Sequence, residues 1–141
     1  MKPRITVITL GVRNLERALA FYRDGLKLPT EGIIGTEFED GAVVFFRLSG
    51  GLILALYPTG SLGRDAKLLI AQPPVGPFSI GHNVATRDEV DQVIAEARAA
   101  GGQIHEEPRE RAWGGYSGYF QDPDGHLWEV AWNPSLGLDL D

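Results

Sequence analysis

Tyr116-Ser117-Gly118-Tyr119-Phe120-Gln121-Asp122-Pro123-Asp124-Gly125-His126-Leu127-Trp128-Glu129-Val130-Ala131-Trp132 decides the fold. Two strand-like runs, Tyr116 to Gln121 and His126 to Trp132, flank a four-residue turn. In that turn Asp supplies a local side-chain acceptor, Pro a preset φ, and Gly the positive φ that other residues resist. Strands so close together must pair as an antiparallel hairpin. By alternation Ser117, Tyr119 and Gln121 share one surface.

Upstream of the hairpin, the chain prepares the same unit twice. Phe78 to Val84 reads as a strand, and Thr86 with Glu89 three residues later forms a capping-box signature. Val90, Val93, Ile94 and Ala97 make one apolar stripe, which Gly101-Gly102 ends. Gln103 to Glu106 completes a β-α-β-β-β series with the hairpin. In the first half Ile5 to Val12 alternates as a strand, and Asn14 is a suitable N-cap. Leu15, Leu19 and Tyr22 then recur at helical spacing up to Gly25, and short runs follow at Gly32 to Gly35, Gly41 to Leu48 and Leu52 to Tyr57. The expectation is one α+β domain over residues 1–141. It comprises tandem βαβββ modules at 4–58 and 78–134, joined by a proline-rich linker at 59–77. One helix should pack on the outer face of each curved mixed sheet, leaving the inner faces to form a cup.

Composition narrows the function. The 141 residues contain no cysteine, which excludes disulfides, thiolate catalysis and Cys-ligated metal sites. A net charge of −6 with scattered Lys and Arg provides no basic face for nucleic acid or anionic lipid. No run approaches the roughly 18 apolar residues of a membrane helix. Met1-Lys2-Pro3-Arg4 is basic but leads into strand alternation rather than a signal-peptide core, so a cytoplasmic location is expected. Small molecules and protein partners remain.

Two segments carry a family likeness: Val12-Arg13-Asn14-Leu15-Glu16-Arg17-Ala18-Leu19-Ala20-Phe21-Tyr22 and the hairpin from Gly114 to Val130. With the duplication, they resemble the vicinal oxygen chelate superfamily of glyoxalases, bleomycin-resistance proteins and extradiol dioxygenases. The resemblance implies a homodimer or paired-module cup. For enzymes of this kind it also implies a divalent metal held by His and Glu on cup-facing strands, acting as a Lewis acid on vicinal oxygens. Aligning the strand ends Val12 and Val84 places the expected ligand positions at Val7, Ala55, Ser79 and Glu129. Only Glu129 has a side chain suited to a catalytic metal, and one carboxylate does not hold zinc, nickel or iron against water. No metal or other cofactor is therefore expected.

The histidines do not rebuild a site. His82 shares parity with Ile80 and Val84 beneath the helix, His126 packs at the turn, and His105 falls in a charged run read as a solvated loop. Glu129, beside Trp128 and Trp132, is the candidate catalytic residue, a carboxylate whose partial desolvation makes it a usable general base. Trp113, Tyr116, Tyr119, Phe46, Tyr57 and Ser79 are the candidate ligand-binding residues, flat rings with polar edges suiting a planar or amphipathic molecule. Arg109 and Arg111 are placed to clamp a carboxylate or phosphate. Two functions stand: a small-molecule-binding protein with a degenerate metal site, or a metal-dependent lyase, isomerase or dioxygenase.

Overall fold

The computed structural model describes residues 1–70 and 78–140. The chain divides into two compact units, Met1–Pro74 and Val75–Asp141. The first contains β1 (Val7–Val12), α1 (Leu15–Leu19), β2 (Thr30–Ile34), β3 (Val43–Arg47), β4 (Ile53–Pro58) and α2 (Thr59–Ala66). The second contains β5 (Ile80–Asn83), α3 (Arg87–Ala99), β6 (Gln103–Glu110), β7 (Tyr116–Gln121) and β8 (Leu127–Trp132). Each unit folds its four strands into a mixed sheet, in the orders β1-β4-β3-β2 and β5-β8-β7-β6. The outer pairs β1/β4 and β5/β8 are parallel, and the remaining pairs are antiparallel. The repeated connectivity is the βαβββ series expected from the sequence.

Both helix starts are capped as their sequences require. Asn14 Oδ1 accepts from Arg17 N at 2.9 Å. Thr86 Oγ1 accepts from Glu89 N at 3.2 Å, while Glu89 Oε2 accepts from Thr86 N at 3.0 Å, closing the reciprocal box. After Leu19 the first helix widens into a π-helical stretch, Ala20–Gly25, which carries Phe21 and Tyr22 into the core.

Each sheet has a helix-covered face and an open face. In the first unit Leu10, Val12, Val44, Phe46, Leu54 and Leu56 are buried with Ala18, Leu19 and Tyr22. The opposite face carries Val7, Thr9, Phe45 and Ala55, with Ala55 buried between Thr9 on one side and Phe45 on the other. In the second unit Phe120, Trp128 and Val130 are buried on the side that α3 covers with Val90, Ile94 and Ala97. Phe120 and Trp128 stack there, centroids 6.0 Å apart. His82 lies opposite Val130 in the register of β5 and β8, but it is exposed rather than packed beneath the helix. Partial desolvation still depresses its pKa, against the opposing pull of Glu89 and Glu96.

Two features depart from the sequence reading. Within the proline-rich stretch, Thr59–Ala66 is helical, whereas residues 71–77 lie outside the described residues. Asp40 anchors this helix: Arg64 Nη2 and Ser61 Oγ donate to its carboxylate at 2.7 and 3.1 Å, and Tyr57 Oη donates to its backbone carbonyl at 2.5 Å. Second, the charged run from His105 is strand rather than loop. β6 is an edge strand whose side chains are balanced by ion pairs Arg87–Glu110, Arg98–Glu107 and Arg109–Glu106.

Phe46 belongs to the core and not to a ligand site. It is wholly buried, 5.9 Å from the Tyr22 ring. Phe46→Ala is expected to destabilise the first unit by about 3–5 kcal/mol through lost burial and the cavity left behind. Urea unfolding followed by circular dichroism measures this; a loss below about 1 kcal/mol would contradict the placement.

Candidate functional site

The site begins at the turn between β7 and β8. Asp122 Oδ1 accepts from Asp124 N at 2.9 Å and from His126 N at 2.8 Å, while Asp122 N donates to His126 O at 3.0 Å. Gly125, at φ +92°, makes the left-handed step that lets the chain turn back. Both aspartates and His126 are buried, so the turn is a packed element. It locks the register in which Tyr119 faces Glu129, Ser117 faces Ala131 and Phe120 faces Trp128.

Alternation then separates the faces. Phe120, Trp128, Val130 and Trp132 point toward α3, and Ser117, Tyr119 and Glu129 point to the open side. Tyr119 Oη donates to Glu129 Oε2 at 3.0 Å. Among the described residues, Glu129 Oε1 has no protein donor. Gly81 lies opposite Glu129 on β5, and a Cβ there would meet only Asn83 Nδ2, at 3.9 Å, within 4 Å. Space beside the carboxylate is thus left open. Burial, and then the bond to Glu129, raises the pKa of the Tyr119 hydroxyl above its ordinary value near 10.0. The phenol is the donor in this bond and Glu129 the acceptor.

Next to this pair is a cleft of about 550 Å³, bordered by Ser79, His105, Arg109, Arg111, Tyr119 and Leu127. Phe78 and Glu106 line it as well. The β6/β7 ladder is irregular on both sides of Glu106, and His105, Glu106 and Arg109 all border the cleft. Arg109 is neutralised by Glu106, with Nε donating to Oε1 at 2.6 Å. Arg111 sits where β6 turns toward β7: its N–H donates to Gly115 O at 2.8 Å and its carbonyl accepts from Gly114 N at 3.0 Å. Its Nη2 donates to Ser117 O at 3.0 Å, placing the guanidinium 5.9 Å from the Tyr119 ring centroid.

Of the candidate residues, Tyr119 and Ser79 border the cleft, and Glu129 is joined to it through its bond with Tyr119. The others do not border it. Trp113 lies in the turn before β7, half-exposed, its ring so close over Gly115 that a Cβ there would come within 1.9 Å of it. Tyr116 is on the helix side, where Oη donates to Asp91 Oδ1 at 2.7 Å, which pushes its pKa up to about 12. Phe46 and Tyr57 belong to the first unit, the former in the core and the latter tied to Asp40. Trp128 and Trp132 face away from Glu129, so they do not supply the desolvation expected of them; the neighbour that matters is Tyr119.

Residues 4–130 match the family model of the Glyoxalase/Bleomycin resistance protein/Dioxygenase superfamily. The chain belongs to this superfamily. It is similar to a glyoxalase-related enzyme from Fulvimarina pelagi, with 31% identity over 99% of this chain and 94% of that one, at a TM-score of 0.85. It is also similar to a lactoylglutathione lyase from Agrobacterium tumefaciens, with 26% identity over 99% of this chain and 100% of that one, at a TM-score of 0.70. A glyoxalase/bleomycin resistance protein/dioxygenase from Nocardioides shares the fold, with 24% identity over 97% of this chain and 87% of that one, at a TM-score of 0.75. Among curated proteins, none matches this sequence.

A divalent metal of the kind implied for this superfamily does not fit the residues present. Val7 and Ala55, on the open face of the first sheet, offer only hydrocarbon, and the neutral hydroxyl of Ser79 is a weak donor. The remaining carboxylate, Glu129, is engaged by Tyr119. No group of three or more His, Asp or Glu side chains able to hold a metal ion occurs among the described residues.

The Tyr119–Glu129 bond is testable by titration. Because the folded phenol holds its proton above its ordinary value, its contribution to stability is complete below about pH 10 and is lost as pH rises through the folded pKa. In ¹³C-tyrosine NMR, Glu129→Gln should lower the Tyr119 pKa, though not fully to its ordinary value, since burial is the larger cause. An unchanged titration would contradict the bond.

Proposed function

We propose that this superfamily member is a cytoplasmic, homodimeric small-molecule-binding protein whose ligand sits on the open face of the second sheet and needs no metal. The observation that carries the reading is the Tyr119–Glu129 pair, 3.0 Å apart beside the cleft, with the second carboxylate oxygen free of any donor among the described residues. Glu129 accepts a proton-bearing group of the ligand, and Tyr119 holds the carboxylate in place. Ser79 and Leu127 border the bound molecule, and the Tyr119 and Phe78 rings offer flat apolar surface to a planar or amphipathic body. Where a ligand carries an acidic C–H or O–H toward Glu129 Oε1, the same carboxylate is positioned as general base. Unpaired flanks of the edge strands β1 and β5 among the described residues favour self-association, which light scattering on the purified protein tests.

Three variants separate binding from folding. Glu129→Gln keeps the shape of the side chain but removes its charge, and should weaken binding of small aromatic and amphipathic fragments about tenfold, as charged hydrogen bonds are worth roughly 1.5–3 kcal/mol. Tyr119→Phe should weaken it less. Gly81→Val should fold normally, since its Cβ enters open space, and should block fragments beside Glu129. Ligand-observed NMR with a fragment library reads all three; unaltered binding in Glu129→Gln and Gly81→Val would sink the reading.

A second reading, a metal-dependent lyase, isomerase or dioxygenase, draws on the likeness to the Fulvimarina glyoxalase-related enzyme and the Agrobacterium lactoylglutathione lyase. It requires stoichiometric divalent metal in the purified protein and a rise in melting temperature on adding zinc, nickel, manganese or ferrous iron. The first reading expects neither.

A further inference from the structure

Arg111 is the feature of the cleft that ligand binding through Glu129 does not use. Its neighbour Arg109 is already paired with Glu106, but among the described residues Arg111 has no carboxylate partner. Only its Nη2 is engaged, by the Ser117 carbonyl at 3.0 Å. Its Nε is buried without a hydrogen-bond partner, and so is Oγ of Ser117, a residue with 0% of its surface exposed. Buried donors without acceptors are costly and are retained where something else satisfies them. The turn holds the Arg111 backbone at both its N–H and its carbonyl, and the bond from Nη2 to Ser117 O ties the guanidinium to β7. A preorganised cation loses little freedom when it takes a ligand.

We propose that Arg111 selects a carboxylate-bearing ligand, so that the molecule bound at this site is a small planar acid with a hydroxyl or similar donor. The inference rests on the binding reading above and specifies its ligand class. The charges choose the acid. A planar carboxylate matches the guanidinium group, and a monoanion is balanced by Arg111, which has no ion-pair partner among the described residues of the cleft. A phosphate dianion would bring a second negative charge toward Glu129 in a protein of net charge −6. Arg111 and Glu129 both neighbour Tyr119, one 5.9 Å from its ring centroid and the other bonded to its hydroxyl. A ligand stacked on that ring meets the cation with its carboxylate and the carboxylate of Glu129 with its hydroxyl.

Matched probes test this directly: hydroxy-substituted aryl carboxylates, the corresponding carboxamides and the corresponding aryl phosphates, titrated calorimetrically into the native chain. The acids should bind at least tenfold more tightly than the amides and the phosphates. Arg111→Met should reduce the acid-to-amide ratio to about one, and Arg111→Lys should keep part of the preference. Melting temperatures check that each variant folds; if Arg111→Met does not, Arg111→Lys and the native ratio still decide. Equal binding of acids and amides would overturn the inference while leaving the binding reading standing. Tighter phosphates, or loss of the preference in Arg109→Met but not in Arg111→Met, would overturn the assignment. Binding of none of the probes would count against both.

Discussion

Asp122 accepts two backbone N–H groups with a single carboxylate oxygen, and the second unit's geometry depends on that contact. The bonds to Asp124 and His126 close the turn, and the closed turn permits one register between β7 and β8. Side chains alternate with a period of two, so a slip of one residue would exchange the faces of the hairpin. Tyr119 and Glu129 would then point toward α3, and Phe120 and Trp128 toward the open side. The large buried rings oppose such a slip with burial worth roughly 1.5–3 kcal/mol each. Core packing and site geometry are thus set by the same alternation. The register that buries Phe120 against Trp128 also puts the Tyr119 hydroxyl within reach of Glu129.

Much of this was legible in the residues. The turn, the capping box and the repeated βαβββ pattern are local signals, each with its own physical cause, and each is present where its residues stand. The shared parity of Ser117 and Tyr119 follows from strand geometry alone, and the same parity sends Tyr116 to the other face. Other features had no local signal. Val43, Val44, Phe45 and Phe46 form an unbroken apolar run, so alternation does not reveal which ring is core; only the pairing of Phe46 with Leu54 beneath the helix decides it. The helix Thr59–Ala66 contains Gly60 and Gly63, poor helix formers, and is held by tertiary bonds to Asp40, 24 residues before Arg64. His105 was hidden by its charged neighbours, because charged residues are common in loops and equally tolerated on an edge strand.

Membership of the superfamily establishes the scaffold and leaves the chemistry to individual positions. At those positions this chain replaces metal donors with hydrocarbon at Val7 and Ala55 and ties its remaining carboxylate to a phenol. Beside the cleft stand a carboxylate acceptor, the Arg111 guanidinium and the Tyr119 ring that neighbours both, a combination suited to recognising a small polar molecule by hydrogen bonds and stacking.

The central claim is that the ligand meets the open face of the second sheet at Tyr119 and Glu129. Chemical-shift mapping on isotopically labelled protein, with a bound aromatic hydroxy acid, measures this most directly. Perturbations gathered at Ser79, Gly81, Arg111, Tyr119 and Glu129, and absent from the α3 face around Asp91 and Tyr116, are the predicted result. Perturbations confined to the first unit, or spread evenly over both, would contradict it.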